Sequence, residues 1–141
     1  NMFVERMLID GLQYYLTEED AAEYRRPYLT PGESRRPTLS WPRELPIDGE
    51  PARNEQLVQQ YTGWFATADL PKLFVRVVPG AILRDPAMLA LARGFSHQSE
   101  ALVYGGHFVQ EVSGDAIGRA VAGWIRTQWP GSGAGRHAGI I

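Results

Sequence analysis

The length of 141 residues suits one domain. The 14 basic and 16 acidic residues nearly cancel, so the charge gives no indication of nucleic acid or of an anionic membrane surface as a partner. The absence of cysteine excludes disulfides and thiol chemistry, and no apolar run approaches the roughly 20 residues that span a bilayer.

The first predicted elements are two helices. Apolar residues recur at helical spacing over residues 1–11, and Thr17, followed by three acidic residues, predicts the N-cap of a second helix that Pro27 ends. Because the chain opens inside the first apolar pattern with no capping residue, we expect it to be incomplete. Glu5 and Asp10 interrupt this stretch, so it is not a signal peptide, and we expect a cytoplasmic location.

Residues 28–51 contain five prolines, which limit any helix in this stretch to a short segment. Within it, Trp41 and Leu45 lie among arginines, and two interpretations are open. The segment is either a loop that these two side chains pin to a core, or a lid with an apolar inner face and a charged outer face.

The second half of the chain predicts alternating helices and strands. The longest helix covers residues 52–66 and has one apolar face. Residues 73–78 form an apolar run typical of a buried parallel strand, and residues 100–103 predict a second strand. Between the strands lie the turn 79–81 and a helix that starts at Pro86. The residues of that helix expected to face inward are Met88, Leu89, Leu91, Ala92 and Phe95.

The segment after the second strand holds the candidate functional residue His107. Gly105 and Gly106 come directly before it, and glycine allows positive φ and close backbone approach. Ser113 then marks the start of the last helix, which runs to about Gln128. Because open α/β sheets place ligands and chemistry at the carboxyl ends of their strands, His107 is a candidate catalytic residue. The alternative is an ordinary histidine on a surface loop.

The predicted elements are too few for an independent fold. Only two strands are predicted, and a two-stranded parallel unit is too small a sheet to be stable alone. Residues 131–141 are rich in glycine and predict a flexible tail, in which His137 is solvated. We therefore expect the chain to be part of a larger fold.

Several linked segments resemble the haloalkane dehalogenases, from Asn1 to about Trp129. They are residues 3–8, 24–28, 35–47, 71–74, 79–81 and 107–111. The resemblance covers only the C-terminal half of the family's pattern. It implies an α/β class and the C-terminal part of an α/β-hydrolase fold, with the last two parallel strands, their flanking helices and part of a helical cap.

The resemblance also implies domain boundaries and site residues. Residues 1–47 correspond to the second part of the cap, residues 48–130 to the C-terminal part of the core, and residues 131–141 to the tail. His107 corresponds to the catalytic base. The residues implied to line the substrate pocket are Phe3, Met7, Gly11, Trp41, Pro42 and Leu45 from the cap, and Ala81, Ile82 and Phe108 from the core.

In that family an aspartate displaces halide from an alkyl carbon, and the histidine activates the water that hydrolyses the resulting ester. A dry apolar pocket favours the first step, and a neutral imidazole near pH 7 suits the second. The implied partners are a small apolar halogenated substrate, water and halide ion, with no cofactor, metal or nucleic acid. The aspartate belongs to the missing N-terminal half, so we expect this chain alone to be inactive.

Two departures leave the function open. The usual acid partner of the histidine also lies in the missing half. Other α/β-hydrolases place that acid where this chain has Ala81, and Asp85 is the one nearby substitute. Residues 35–46 are also similar to the coelenterazine-using luciferases, which share the fold and are monooxygenases. A non-catalytic binding module on the same fold is the third alternative.

Overall fold

The computed structural model describes residues 1–130, which fall into two compact units. The N-terminal unit comprises residues 1–68, and the C-terminal unit begins at Asp69. The predicted tail and His137 lie outside the described residues. The boundary between cap and core after residue 47 concerns a complete fold and stays a prediction.

The N-terminal unit begins with a π-helical segment, Phe3–Ile9, which continues into a 3₁₀ turn at Asp10–Leu12. Val4, Leu8 and Leu12 are buried along one side of it. This spacing of four residues confirms the helical character predicted for residues 1–11.

Helix α1 (Glu18–Arg25) begins at the predicted N-cap. The Asp20 N–H donates to Thr17 Oγ1 at 3.2 Å, and the Thr17 N–H donates to the Asp20 carboxylate at 2.9 Å. The Thr17 hydroxyl also donates to that carboxylate, and these bonds hold the pKa of Asp20 below its ordinary value. A 3₁₀ turn that contains Pro27 follows α1, so the predicted end of the helix is confirmed.

Helices α2 (Arg36–Arg43) and α3 (Ala52–Thr67) complete the N-terminal unit. Helix α2 is short, as the prolines predict. The segment forms a helix and not the predicted loop, and within this unit its Trp41 is 64% exposed. The predicted apolar face of α3 is present but uncovered. Its large side chains, each at least 37% exposed, are Leu57, Val58, Tyr61, Trp64 and Phe65.

The C-terminal unit contains two parallel strands and two helices in the predicted order. They are β1 (Lys72–Pro79), α4 (Pro86–Arg93), β2 (Gln98–Gly105) and α5 (Val109–Gln128). Lys72 pairs with Gln98 and Pro79 pairs with Gly105, so both strands end at the same edge of the sheet. This edge is where a parallel sheet carries its site.

Helix α4 differs from its prediction in what it buries. Met88 is 50% exposed and Leu91 is 51% exposed, although both were expected to face inward. The side of α4 that carries these two residues is uncovered within residues 69–130, which explains the difference. None of the helices within residues 1–130 has the length and apolar character needed to cross a membrane.

Candidate functional site

The turns that follow β1 and β2 are bonded to each other at the carboxyl edge of the sheet. The Gly80 N–H donates to the Gly105 carbonyl at 3.0 Å. Gly80 has a φ of +67°, and a Cβ there would lie 2.8 Å from the Val77 carbonyl oxygen. Glycine therefore lets the chain turn sharply enough after β1 to meet the end of β2.

The two glycines before His107 do not use the positive φ that glycine allows. Within residues 1–130, the glycines with positive φ are Gly32, Gly49 and Gly80. The expected close approach is found at Gly105, where a Cβ would lie 2.8 Å from Val109 Cγ2. At the carboxyl edge of the sheet, positive φ is found in the turn after β1, whereas β2 continues through Gly105 in extended conformation.

His107 lies between the end of β2 and the start of α5, as the sequence predicts. Its ring packs edge-on against the ring of Phe108, with centroids 4.8 Å apart and planes 84° apart. His107, Ala81 and Ile82 line one open cavity of about 480 Å³. Three of the four residues predicted for the core side of the site therefore share a cavity, and the fourth, Phe108, packs on the histidine.

The walls of this cavity, which we call the His107 cavity, include residues that sequence reasoning missed. They are Phe74, Val75, Arg76, Val77, Gly80, Leu83, Gly106 and Val109. Consecutive strand residues point to opposite faces of a sheet. Because four consecutive residues of β1 line the cavity, it runs along the edge of β1 that faces away from β2. Within residues 1–130, β1 pairs with β2 alone.

The residues predicted for the cap side are only partly brought together. Phe3, Trp41 and Pro42 line a second open cavity, of about 520 Å³, within the N-terminal unit. Met7, Gly11 and Leu45 do not line it, and Met7 is 55% exposed. The walls that were not predicted are Tyr28, Pro37 and Thr38. Pro37 and Thr38 precede Trp41 by four and three residues, so they lie on the same side of a helix as Trp41. This spacing is the signal that could have identified these two wall residues.

No acid partner for His107 is present within residues 1–130. The histidine that pairs with a carboxylate there is His97, whose Nε2 lies 3.2 Å from Asp69 Oδ1. The carboxylate of Asp85 instead caps α4, where it accepts the N–H groups of Ala87 and Met88 at 2.7 and 3.1 Å. This geometry gives Asp85 a structural task and does not support it as the substitute acid.

Charged pairs near the strands are structural. Arg93 donates two hydrogen bonds to the Glu100 carboxylate, at 2.7 and 2.8 Å, and Arg76 lies 3.8 Å from it. The bonds from Arg93 hold the pKa of Glu100 below its ordinary value. In residues 1–130, no group of three or more His, Asp or Glu side chains is arranged to hold a metal ion.

Known proteins are similar to this chain in sequence and in fold. No protein-family model matches. A haloalkane dehalogenase from Mycolicibacterium smegmatis is 44% identical over 98% of this chain, and one from Sphingobium indicum is 44% identical over 92%. A coelenterazine h 2-monooxygenase from Renilla reniformis is 37% identical over 89%. This chain spans 44% of the length of the two dehalogenases and 40% of the monooxygenase.

Solved structures give the same result. Wild-type DBJA superposes with a TM-score of 0.83 at 40% identity, covering 95% of this chain and 45% of that chain. The haloalkane dehalogenase DbeA from Bradyrhizobium elkani superposes with a TM-score of 0.75 at 39% identity, covering 89% of this chain and 45% of that chain. The likeness thus extends over both described units and over less than half of each known structure.

Proposed function

We infer that this chain, which matches the C-terminal part of the haloalkane dehalogenases in sequence and in its α/β-hydrolase fold, carries the general base of such an enzyme. The observation that supports this inference is the position of His107. It lies at the carboxyl edge of two parallel strands and lines a largely apolar cavity together with Ala81 and Ile82.

The proposed reaction has two steps, of which this chain serves the second. In the first step, an aspartate of the preceding half of the protein displaces halide from an alkyl carbon and forms an alkyl ester. In the second step, His107 accepts a proton from water, and the resulting hydroxide attacks the ester carbonyl. The alcohol leaves, the aspartate is regenerated, and the imidazolium returns its proton to solvent.

The apolar walls of the His107 cavity support the first step. A carboxylate is a stronger nucleophile where water is excluded, and the side chains of Ala81, Ile82 and Leu83 offer few hydrogen-bonding partners to water. We propose that Phe108 has the same role beside the histidine ring. The acid that orients the imidazole is assigned to the preceding half, because Asp85 is engaged as a helix cap.

The cap residues are proposed as the variable part of the substrate site. Phe3, Trp41 and Pro42 already share an apolar cavity within their own unit. We propose that they, with Met7, Gly11 and Leu45, contact the alkyl chain of the substrate in the full-length protein. A small apolar haloalkane is the substrate class that suits aromatic and aliphatic walls of this kind.

The test of this proposal is His107→Phe in the full-length protein. Because His107 acts only after halide has left, the variant is expected to release about one halide per active site and then stop, since the general base contributes on the order of 10²–10⁴-fold to hydrolysis. Quenched-flow halide assays measure the burst. Mass spectrometry of the stalled protein is expected to find an alkyl group on a peptide of the preceding half.

The control is His97→Asn, which changes the other described histidine at a site away from the His107 cavity. Asparagine tolerates the positive φ of 52° at that position. This variant is expected to turn over like the parent. If a folded His107→Phe protein keeps turning over, or never releases the first halide, His107 is not the base of the second step.

Monooxygenase activity is the second candidate function, because the Renilla enzyme is 37% identical to this chain. Supplying the full-length parent with coelenterazine and recording light separates the two activities. We expect halide release from a bromoalkane and no light above background. Light without halide release would favour the monooxygenase, and neither activity would favour a non-catalytic binding module.

A further inference from the structure

We propose that Ser113 is a positioning residue that holds the segment carrying His107 against the end of β2. The proposal rests on the function inferred above, since it assigns Ser113 to the step in which His107 acts. It adds a residue that contacts neither substrate nor the reacting atoms.

The geometry at Ser113 interrupts helix α5. Its backbone has φ −136° and ψ 32°, which is not helical, so residues 109–112 form a separate first turn before the regular helix. The sequence prediction of a helix start at Ser113 corresponds to this break. The Ser113 hydroxyl donates to the Tyr104 carbonyl of β2 at 2.7 Å. Serine commonly forms such bonds to the backbone where a helix is interrupted.

This hydrogen bond closes a short loop around the histidine. Residues 105–112 lie between the two bonded residues, and His107 is among them. The same loop is held at its first residue, where the Gly105 carbonyl accepts the Gly80 N–H at 3.0 Å. Within the loop, the Glu111 N–H donates to the Phe108 carbonyl at 3.1 Å. The backbone that carries His107 is therefore fixed at both ends.

Loss of the Ser113 bond removes the hydrogen bond that ties the second end of the loop to β2. A general base must lie within hydrogen-bonding reach of the water that it deprotonates, and a displacement of about 1 Å can cost on the order of 10²-fold in rate. The first step does not use His107. The structure thus predicts that a change at Ser113 slows ester hydrolysis and spares halide displacement.

The experiment compares Ser113→Ala with Thr127→Val in the full-length protein. Thr127 is a matched control, because its Oγ1 donates to the Trp124 carbonyl at the same distance of 2.7 Å, on the same helix and away from His107. With a bromoalkane, Ser113→Ala is expected to keep the rate and amplitude of the halide burst within about twofold and to lower steady-state turnover about tenfold. Ser113→Thr, which restores a hydroxyl, is expected to recover most of the turnover.

Thr127→Val is expected to match the parent both in the halide burst and in steady-state turnover. The proposal is overturned if Ser113→Ala does the same. It is also overturned if burst amplitude and turnover fall together in proportion to the folded fraction, because that is the result of a purely structural role. If Ser113→Ala does not fold, Ser113→Cys takes its place, since a thiol keeps the size of the side chain and donates weakly.

A second measurement separates this proposal from the proposed function. If the parent releases no halide, the dehalogenase function fails, and the ring signals of ¹⁵N-histidine-labelled protein decide the role of Ser113. Across a pH titration, Ser113→Ala is expected to shift the His107 ring signals, while Thr127→Val leaves them in place. Identical His107 signals in both variants overturn the positioning role.

Discussion

Gly105 determines how closely helix α5 approaches the end of β2. Its Cα faces Val109 at a distance that leaves no room for a side chain, since an added Cβ would lie 2.8 Å from Val109 Cγ2 and 3.3 Å from Val109 Cβ. Gly106, the next residue, has no atom within 4 Å of the same position. Two adjacent glycines therefore differ in what they contribute, and only Gly105 fixes the spacing of the segment that carries His107.

We predict that Gly105→Ala destabilises the full-length protein by about 1–3 kcal/mol, because the added methyl group overpacks the contact with Val109. It is also expected to lower steady-state turnover more than the halide burst. Gly106→Ala is the matched control for stability alone, because Gly106 lines the His107 cavity. It should be neutral or slightly stabilising, since its position is open and its φ is not positive. Urea unfolding and halide release measure the two effects. Equal stability of the two variants would contradict the prediction.

At the level of single residues, local chemistry could be predicted from the sequence. The Thr17 cap was predicted, and the helix start predicted at Ser113 falls at the break inside α5. Each depends on a side chain bonding to nearby backbone. The location of His107 followed from the strand before it. Glycine allows positive φ, but the sequence alone did not show whether Gly105 uses it. The pairing of β2 with β1 shows that Gly105 remains in a strand. The acid partner of His107 could not be found within residues 1–130.

Helix α1 shows how an element depends on its first residues. Reciprocal hydrogen bonds between Thr17 and Asp20 satisfy two N–H groups at its start. Bonding to Thr17 lowers the pKa of Asp20, so the carboxylate stabilises the helix when ionised. This contribution is complete above the ordinary value of 3.8 and is lost as the pH falls through the lower pKa of the folded state.

We predict that Thr17→Ala lowers the free energy of unfolding by about 1 kcal/mol near neutral pH. The difference from the parent should shrink at pH values below the ordinary pKa of Asp20, as the carboxylate becomes protonated in both proteins. Ser40→Ala is the control, because its hydroxyl donates to the Arg36 carbonyl inside α2 and caps nothing. Urea unfolding across the pH range measures the effect, and a pH-independent difference would exclude the role assigned to Asp20.

Element boundaries followed the sequence closely where they are set locally. The helix predicted at residues 52–66 is α3, Ala52–Thr67, and the strand predicted at 73–78 is β1, Lys72–Pro79. The strand predicted at 100–103 was too short, because β2 extends from Gln98 to Gly105. Polar and glycine residues at its ends carry little strand preference, and pairing with β1 holds them extended.

At the scale of the whole molecule, apolar surface remains uncovered in both units. Val103 is the one buried hydrophobic residue within residues 69–130, and Trp64 on α3 is 58% exposed. Sequence patterns predicted which faces are apolar. They could not predict which of these faces would be covered, because the patterns are local and covering a face depends on residues far away in the sequence.

We predict that residues 1–141 expressed alone aggregate and give no cooperative melting transition, because their exposed apolar faces and open strand edge favour association. Co-expression with the preceding half of the full-length protein is expected to restore solubility and near-UV circular dichroism. Light scattering and thermal melts measure both outcomes. A soluble monomer that melts cooperatively on its own would contradict the expectation that the chain needs further strands.

The open edge of β1 has a consequence for any experiment in which the two halves are supplied as separate chains. The strand that docks on this edge would then arrive by a bimolecular encounter, so the folded fraction would depend on the concentrations of both pieces and not on temperature alone. Dilution would therefore lower the folded fraction. The melting temperature of such a reconstituted protein would rise with the logarithm of concentration, as it does for an obligate heterodimer.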